Sequence, residues 1–162
     1  MKEKTRMTKQ VTIAFYLNLL LVLMGLAFGF RYLFASELLR YHLDAMNIGS
    51  WGDVTEQYRL MLMVFVRVAG LGMTTSSICL ALILFNAFRK NENWARWGFL
   101  LIFTIHYIPL LINMIYLKLN THASPPFLIN IFALIIALTA FFLSNDMKKI
   151  GEPDVFGNTS VI

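Results

Sequence analysis

LMLMVFVRVAGLGMTTSSICLALILFNAF, residues 60–88, decides the fold class. The stretch carries one charge, Arg67, and no proline. A helix needs about 20 mostly apolar residues to cross the hydrocarbon of a bilayer. A water-exposed helix of this length would need a polar face, and this one has none. The stretch therefore predicts a long transmembrane helix.

Three more stretches satisfy the same criterion. Residues 11–30 contain Asn18 as their only strongly polar side chain, 98–117 are apolar around His106 and Asn113, and 127–143 form a shorter run at the lower limit of length. The whole chain agrees. Of 162 residues, 58% are hydrophobic and 14% charged, with a mean hydropathy of +0.65, against about 45–50% apolar and about 25% charged in soluble domains. These values exclude a disordered chain and a water-soluble globule. The predicted fold is all-α: an integral membrane four-helix bundle forming one domain over 1–162, with an outer amphipathic helix between spans one and two and a cytoplasmic tail at 145–162. Lys2, Lys4, Arg6 and Lys9 precede span one like the basic start of a signal peptide. The apolar run that follows is longer than the roughly 7–15 residues of a signal core and lacks a small-residue cleavage site, so it reads as an uncleaved anchor.

The formal charge of +5 reports topology. Lys2, Lys4, Arg6, Lys9, Arg89, Lys90, Arg96, Lys148 and Lys149 fall on one side of the four spans, and Arg31, Arg40, Arg59 and Lys118 on the other. Lys/Arg-rich connections stay cytoplasmic, which places both termini inside the cell's inner (plasma) membrane. With acids included, the inner side is net positive and the outer side neutral. No long basic patch exists, so nucleic acid is not an expected partner. The expected partners are the lipid bilayer and a membrane protein or a second copy of the chain. Trp94 and Trp97 at the inner start of span three, and Trp51 and Tyr58 at the outer start of span two, fit interfacial belts.

The outer connection, 31–59, has internal order. Glu37, Arg40 and Asp44 share one helical face at 36–46, and Leu39, Leu43 and Met46 another. The amphipathic helix is expected to continue from span one and to lie over the bundle, either covering its outer end or acting as a lid. Residues 47–52, NIGSWG, read as a turn, and Asp53 with Glu56 as a capping start for a helix running to about residue 87.

Ionisable groups inside spans are costly and are candidates for function. Arg67 lies in the outer third of span two. It either snorkels outward or turns inward to pair with Glu37, Asp44 or an anionic headgroup. His106 sits near the middle of span three, beside Pro109, which is expected to kink the helix. A haem held between two histidines is not expected, because His42 and His122 lie in outer connections. The candidate ligand site is Arg67, His106, Glu37 and Asn113, the last one heptad from His106. The small residues Gly25, Gly29, Gly70 and Gly72 predict close helix packing, with Pro109 adjusting it. The remaining in-span polar residues, among them Thr74, Ser76, Ser77 and Asn130, are expected to join helices.

Several classes are excluded by chemistry. Cys79 is the only cysteine, so no intramolecular disulfide, dithiol oxidase or cysteine-based metal site exists. No acidic residue lies within a span, so the carboxylate that couples small exporters to protons is missing. No Ser-His-Asp set, HExxH, Walker loop or Rossmann glycine run is present, and no metal site or resident cofactor is expected. Asn158-Thr159-Ser160 matches a glycosylation acceptor but falls on the cytoplasmic side.

The layout resembles small bacterial four-helix membrane proteins of the DoxX-like group: a glycine-bearing first span, an outer amphipathic segment, Arg67-Val68-Ala69-Gly70-Leu71-Gly72 in the second span, and Trp94-Ala95-Arg96-Trp97 at the third. The resemblance covers about residues 15–143 in outline. It implies the architecture and a link to quinone. The expected function is a non-enzymatic accessory or interaction protein. The alternative is a binder of a lipid or quinone headgroup, as a quinone-linked redox component, and small-solute transport is the weaker third option.

Overall fold

The computed structural model describes residues 7–147, and its described residues are all-helical with no strand. The basic residues at 2–6, Lys148 and Lys149, and most of the expected tail at 145–162 lie outside them. Five helices follow in order: α1 (Lys9–Leu33), α2 (Arg40–Ala45), α3 (Glu56–Asn86), α4 (Asn93–Asn120) and α5 (Phe127–Leu143). The helices α1, α3 and α4 are long and apolar enough to cross a membrane, and α5 is a shorter apolar helix of 17 residues.

Local chemistry sets the helix ends. Thr8 caps α1 by accepting the Val11 N–H at 3.3 Å. Asp53 does not start α3. It belongs to a 3₁₀ turn, Trp51–Asp53, where its carboxylate accepts the Ser50 N–H at 2.8 Å, and α3 begins at Glu56. After α3 a 3₁₀ turn at Phe88–Lys90 ends on Asn91, which adopts a left-handed conformation (φ 61°). The short polar side chain of asparagine tolerates this region. The outer helix is shorter than expected and does not continue α1. The chain leaves the helix at Phe34, and only six residues of 36–46 are helical. Within it the Arg40–Asp44 ion pair forms at 2.9 Å, whereas Glu37, ahead of it, makes no ion pair among the described residues. The helix α4 runs without interruption through Pro109, which is exposed.

The four long helices form a ring in which α1 packs on α3 and α5, and α4 on α3 and α5. The α1–α3 contact is the closest. A Cβ on Gly29 would lie 2.8 Å from the Thr74 backbone nitrogen, and one on Gly70 would lie 2.8 Å from the Gly29 carbonyl oxygen. Gly25 faces the Ser77 hydroxyl. Gly29 and Gly70 demand glycine because backbone meets backbone there, whereas Gly25 makes room for a side chain. Gly72 does not share the role: nothing lies within 4 Å of where its Cβ would be, because it points away from α1. Thr74 and Ser77 are buried in this seam and join α1 to α3 by packing, without a hydrogen bond across it. Their hydroxyls donate back to Gly70 and Met73 carbonyls of their own helix, at 2.8 Å each.

One half of the ring is solid. Phe15, Phe88, Phe99 and Phe103 fill the end near the α3–α4 turn, with Ala14, Ala95, Ala137 and Ala140 letting the helices close around them. At the other end the first turns of α3 rise past α1. They carry a cap built from α2 and the 3₁₀ turn, with a small core of Leu38, Leu43 and Val54 against Trp51, Leu62 and Val66. Arg59 pins this cap by donating to the Val54 carbonyl at 2.7 Å and to that of Gly52, and Arg40 donates to Gly49 at 2.6 Å. Around the outside of the ring, large apolar side chains such as Phe65, Leu101, Ile105, Phe132 and Phe142 are exposed.

Candidate functional site

Beneath the cap the ring is hollow. A cavity of about 330 Å³ opens between all four long helices, the low end of the size range of ligand pockets. Its deeper wall is mostly apolar: Met24 and Phe28 from α1, Met73 from α3, Leu110 from α4 and Ala133 from α5, with Tyr107 of α4 adding one hydroxyl near Gly25. Small, buried Ala133 leaves space that a larger side chain would fill, and Ala69 stands at the exposed rim. Its roof is α2, through Leu39, Tyr41 and His42.

Polar groups collect near that roof. The Tyr32 hydroxyl, from the last turn of α1, hydrogen-bonds the Tyr41 hydroxyl and lies 3.4 Å from His42 Nε2. The His42 ring also rests against Tyr41, with ring centroids 4.0 Å apart. Burial pushes the Tyr41 hydroxyl well above the ordinary tyrosine range, reinforced by its bond to Tyr32, and burial lowers His42 below the ordinary histidine value. Both are therefore uncharged at neutral pH. Asn113 and Asn130 complete the polar rim. Asn130 Nδ2 donates to Met114 Sδ at 2.9 Å, tying α5 to α4.

The four site residues expected from sequence are not brought together. Arg67 does not line the cavity. It sits one heptad before Thr74, on the α1-facing side of α3, but the antiparallel register set by Gly25–Ser77 and Gly29–Thr74 places it beside residue 36, beyond the end of α1. It is exposed there and makes no hydrogen bond or ion pair among the described residues. Asp44, one expected partner, is held by Arg40. Glu37 is exposed and borders only a narrow recess behind the roof, shared with Arg31, Tyr32 and His42. His106 meets Ser76 across the α3–α4 seam at 3.5 Å through Nδ1. Ser76 is nine residues from Arg67, so the two project from opposite sides of α3. Asn113 alone of the four reaches the cavity.

Sequence reasoning did not single out Tyr32 and Tyr41, named His42 only in weighing haem, and expected Asn130 to join helices, as its bond to Met114 does. The available signal was weak: two aromatic polar residues side by side in a short amphipathic segment, and an asparagine opening span four. Among the described residues no group of three or more His, Cys, Asp or Glu is placed to hold a metal ion. Comparison with protein-family models, curated proteins and solved structures finds no match.

Proposed function

We propose that this chain is a four-helix membrane protein whose outer cavity binds a lipophilic molecule, a lipid or a quinone, and that it serves as a non-enzymatic accessory protein holding that molecule. The observation that carries the reading is the apolar cavity of about 330 Å³ shared by all four helices and roofed by α2. A cavity of this size lined by Met, Phe, Leu and Ala favours apolar matter over water, because water needs two to four polar partners.

The membrane placement rests on exposed apolar area and on spacing. Contiguous apolar surface on this scale is not left to water in monomeric soluble proteins. Lys9 and Arg31 on α1, Arg67 and Arg89 on α3 and its following turn, and Trp97 and Lys118 on α4 stand 21 or 22 residues apart. At about 1.5 Å per residue each pair brackets about 32–33 Å, close to the roughly 30 Å of hydrocarbon. In this frame Arg67 belongs to the outer headgroup layer rather than the interior. The cap stands outside, and both termini lie on the cytoplasmic side of the inner (plasma) membrane. The DoxX-like resemblance contributes the architecture to this proposal and no residue of the cavity.

Native mass spectrometry of the protein released from a mild detergent tests the binding. The expected result is a retained lipophile near one per chain, reduced in an Ala133→Phe variant that fills the cavity. A wild-type protein that is folded and free of any lipophile refutes it.

A further inference from the structure

The chemistry of the cavity wall narrows its occupant. None of the residues lining it is Asp, Glu, Lys or Arg. A charged headgroup placed there would lose its hydration with no opposite charge to replace it. Most of the polar groups, Tyr32, Tyr41 and His42, gather at the roof, while Met24, Met73 and Leu110 line the deeper wall with the Tyr107 hydroxyl as its one polar group. The complement of such a wall is a molecule with one polar end and one apolar body.

The hydrogen-bond chain defines that polar end further. Tyr32 joins Tyr41 on one side and His42 Nε2 on the other. A neutral imidazole carries its proton on either nitrogen. With the proton on Nε2, His42 donates to Tyr32, Tyr32 donates to Tyr41, and the Tyr41 proton is free for a carbonyl oxygen. With the proton on Nδ1, the chain reverses, and the Tyr41 oxygen is left to accept from a hydroxyl. One chain thus serves an alcohol or a carbonyl, and neither state presents a charge.

A side opening is also present. Ala69 and Asn113 lie one heptad beyond Ser76 and His106, the pair that closes the α3–α4 seam. Both are exposed, and both line the cavity. The seam is therefore closed at His106 and open two turns further out, towards the exposed apolar side of the ring.

Resting on the cavity-binding reading above, we propose that the occupant is an uncharged amphiphile with a hydroxyl or carbonyl head against Tyr41, and that it reaches the cavity sideways between Ala69 and Asn113. The test uses the full chain in detergent micelles with two photoreactive probes of equal chain length: a diazirine-bearing fatty alcohol and a diazirine-bearing phosphatidylglycerol. The alcohol is expected to label peptides holding Met73, Leu110 and Ala133 saturably, with competition by unlabelled long-chain alcohol or ketone and none by phosphatidylglycerol. Tyr41→Phe keeps the ring and removes the hydroxyl, and should weaken the alcohol by about three- to tenfold, the value of one ordinary hydrogen bond. Ala69→Trp, at the exposed rim of the cavity, should slow labelling. Equal or stronger labelling by phosphatidylglycerol overturns the uncharged class while leaving a binding cavity. Alcohol labelling unchanged in Tyr41→Phe overturns the head assignment, and an unchanged rate in Ala69→Trp overturns the side route. No saturable labelling by either probe refutes the cavity reading itself.

Discussion

Substituting Gly29 and Gly72 separately with alanine separates a packing glycine from an incidental one. Each exchange removes a glycine from a helix interior, which by intrinsic propensity favours the helix by about 1 kcal/mol. At Gly72 nothing opposes that gain, since no atom lies within 4 Å of the new Cβ. At Gly29 the Cβ would stand 2.8 Å from the Thr74 nitrogen and 3.1 Å from its Cα. Backbone atoms of a packed helix cannot rotate away, so α1 and α3 must part by roughly 0.5 Å, enough to forfeit about a quarter of the attraction at each contact along the seam. Overpacking of this kind costs about 1–3 kcal/mol. Set against the propensity gain, Gly29→Ala should lose up to about 2 kcal/mol, while Gly72→Ala gains up to about 1 kcal/mol. Reversible unfolding by SDS in mixed micelles, followed by circular dichroism, resolves that gap. Two variants equal within about 0.5 kcal/mol, or a Gly29→Ala protein more stable than wild type, would refute the close-approach account of α1 and α3.

Arg67→Gln should change stability by no more than about 0.5 kcal/mol in the same assay, because Arg67 is exposed and unpaired among the described residues. A larger loss would mean a partner that its position does not supply. Ser76→Ala should cost under about 1 kcal/mol, since the contact it removes is the 3.5 Å approach to His106. The cap should loosen in acid. His42 titrates below 6.5 when α2 is docked and near 6.5 when it is released. The released form therefore binds more protons in the interval below 6.5, and docking is full above that value and weakens as pH falls through the interval. Amide hydrogen exchange of residues 40–45 at pH 7.5 and 5.5 measures this, and His42→Gln should abolish the difference. Cys79 lies on the exposed side of α3, ten residues from Arg89. It should resist a membrane-impermeant maleimide in intact membranes and react after detergent is added.

Much of the fold is legible in residues 11–143, because helices in apolar surroundings are specified by composition alone: every backbone group is satisfied within its own segment. The glycines at 25, 29 and 70 were legible for a related reason, since only a missing Cβ permits such approach. Gly72 shows the limit. Its spacing to Ser76 matches that of Gly70 to Thr74, yet two residues along a helix turn it about 160° away from α1. The candidate site fared less well. Arg67 was counted from Leu60, but α3 begins at Glu56 and its first turns outlast the end of α1, so Arg67 stands beyond Leu33 instead of facing a neighbouring helix. Only the register of the two helices reveals that. The cavity left no mark on periodicity, because its lining residues are the same apolar types that fill a core.

Sequence by itself determined the all-helical class, the position of the apolar segments and the distribution of charge between their ends. Those properties are local: they depend on side-chain chemistry over one or two turns at a time. Tertiary structure alone decided which half of the ring is packed with phenylalanine and which is hollow, and that Tyr41 and His42, from a six-residue outer helix, meet Tyr32 above the hollow half. A cavity is the volume left after helices have approached as closely as their small residues allow, so it belongs to the assembly of all four and to no single stretch of the chain.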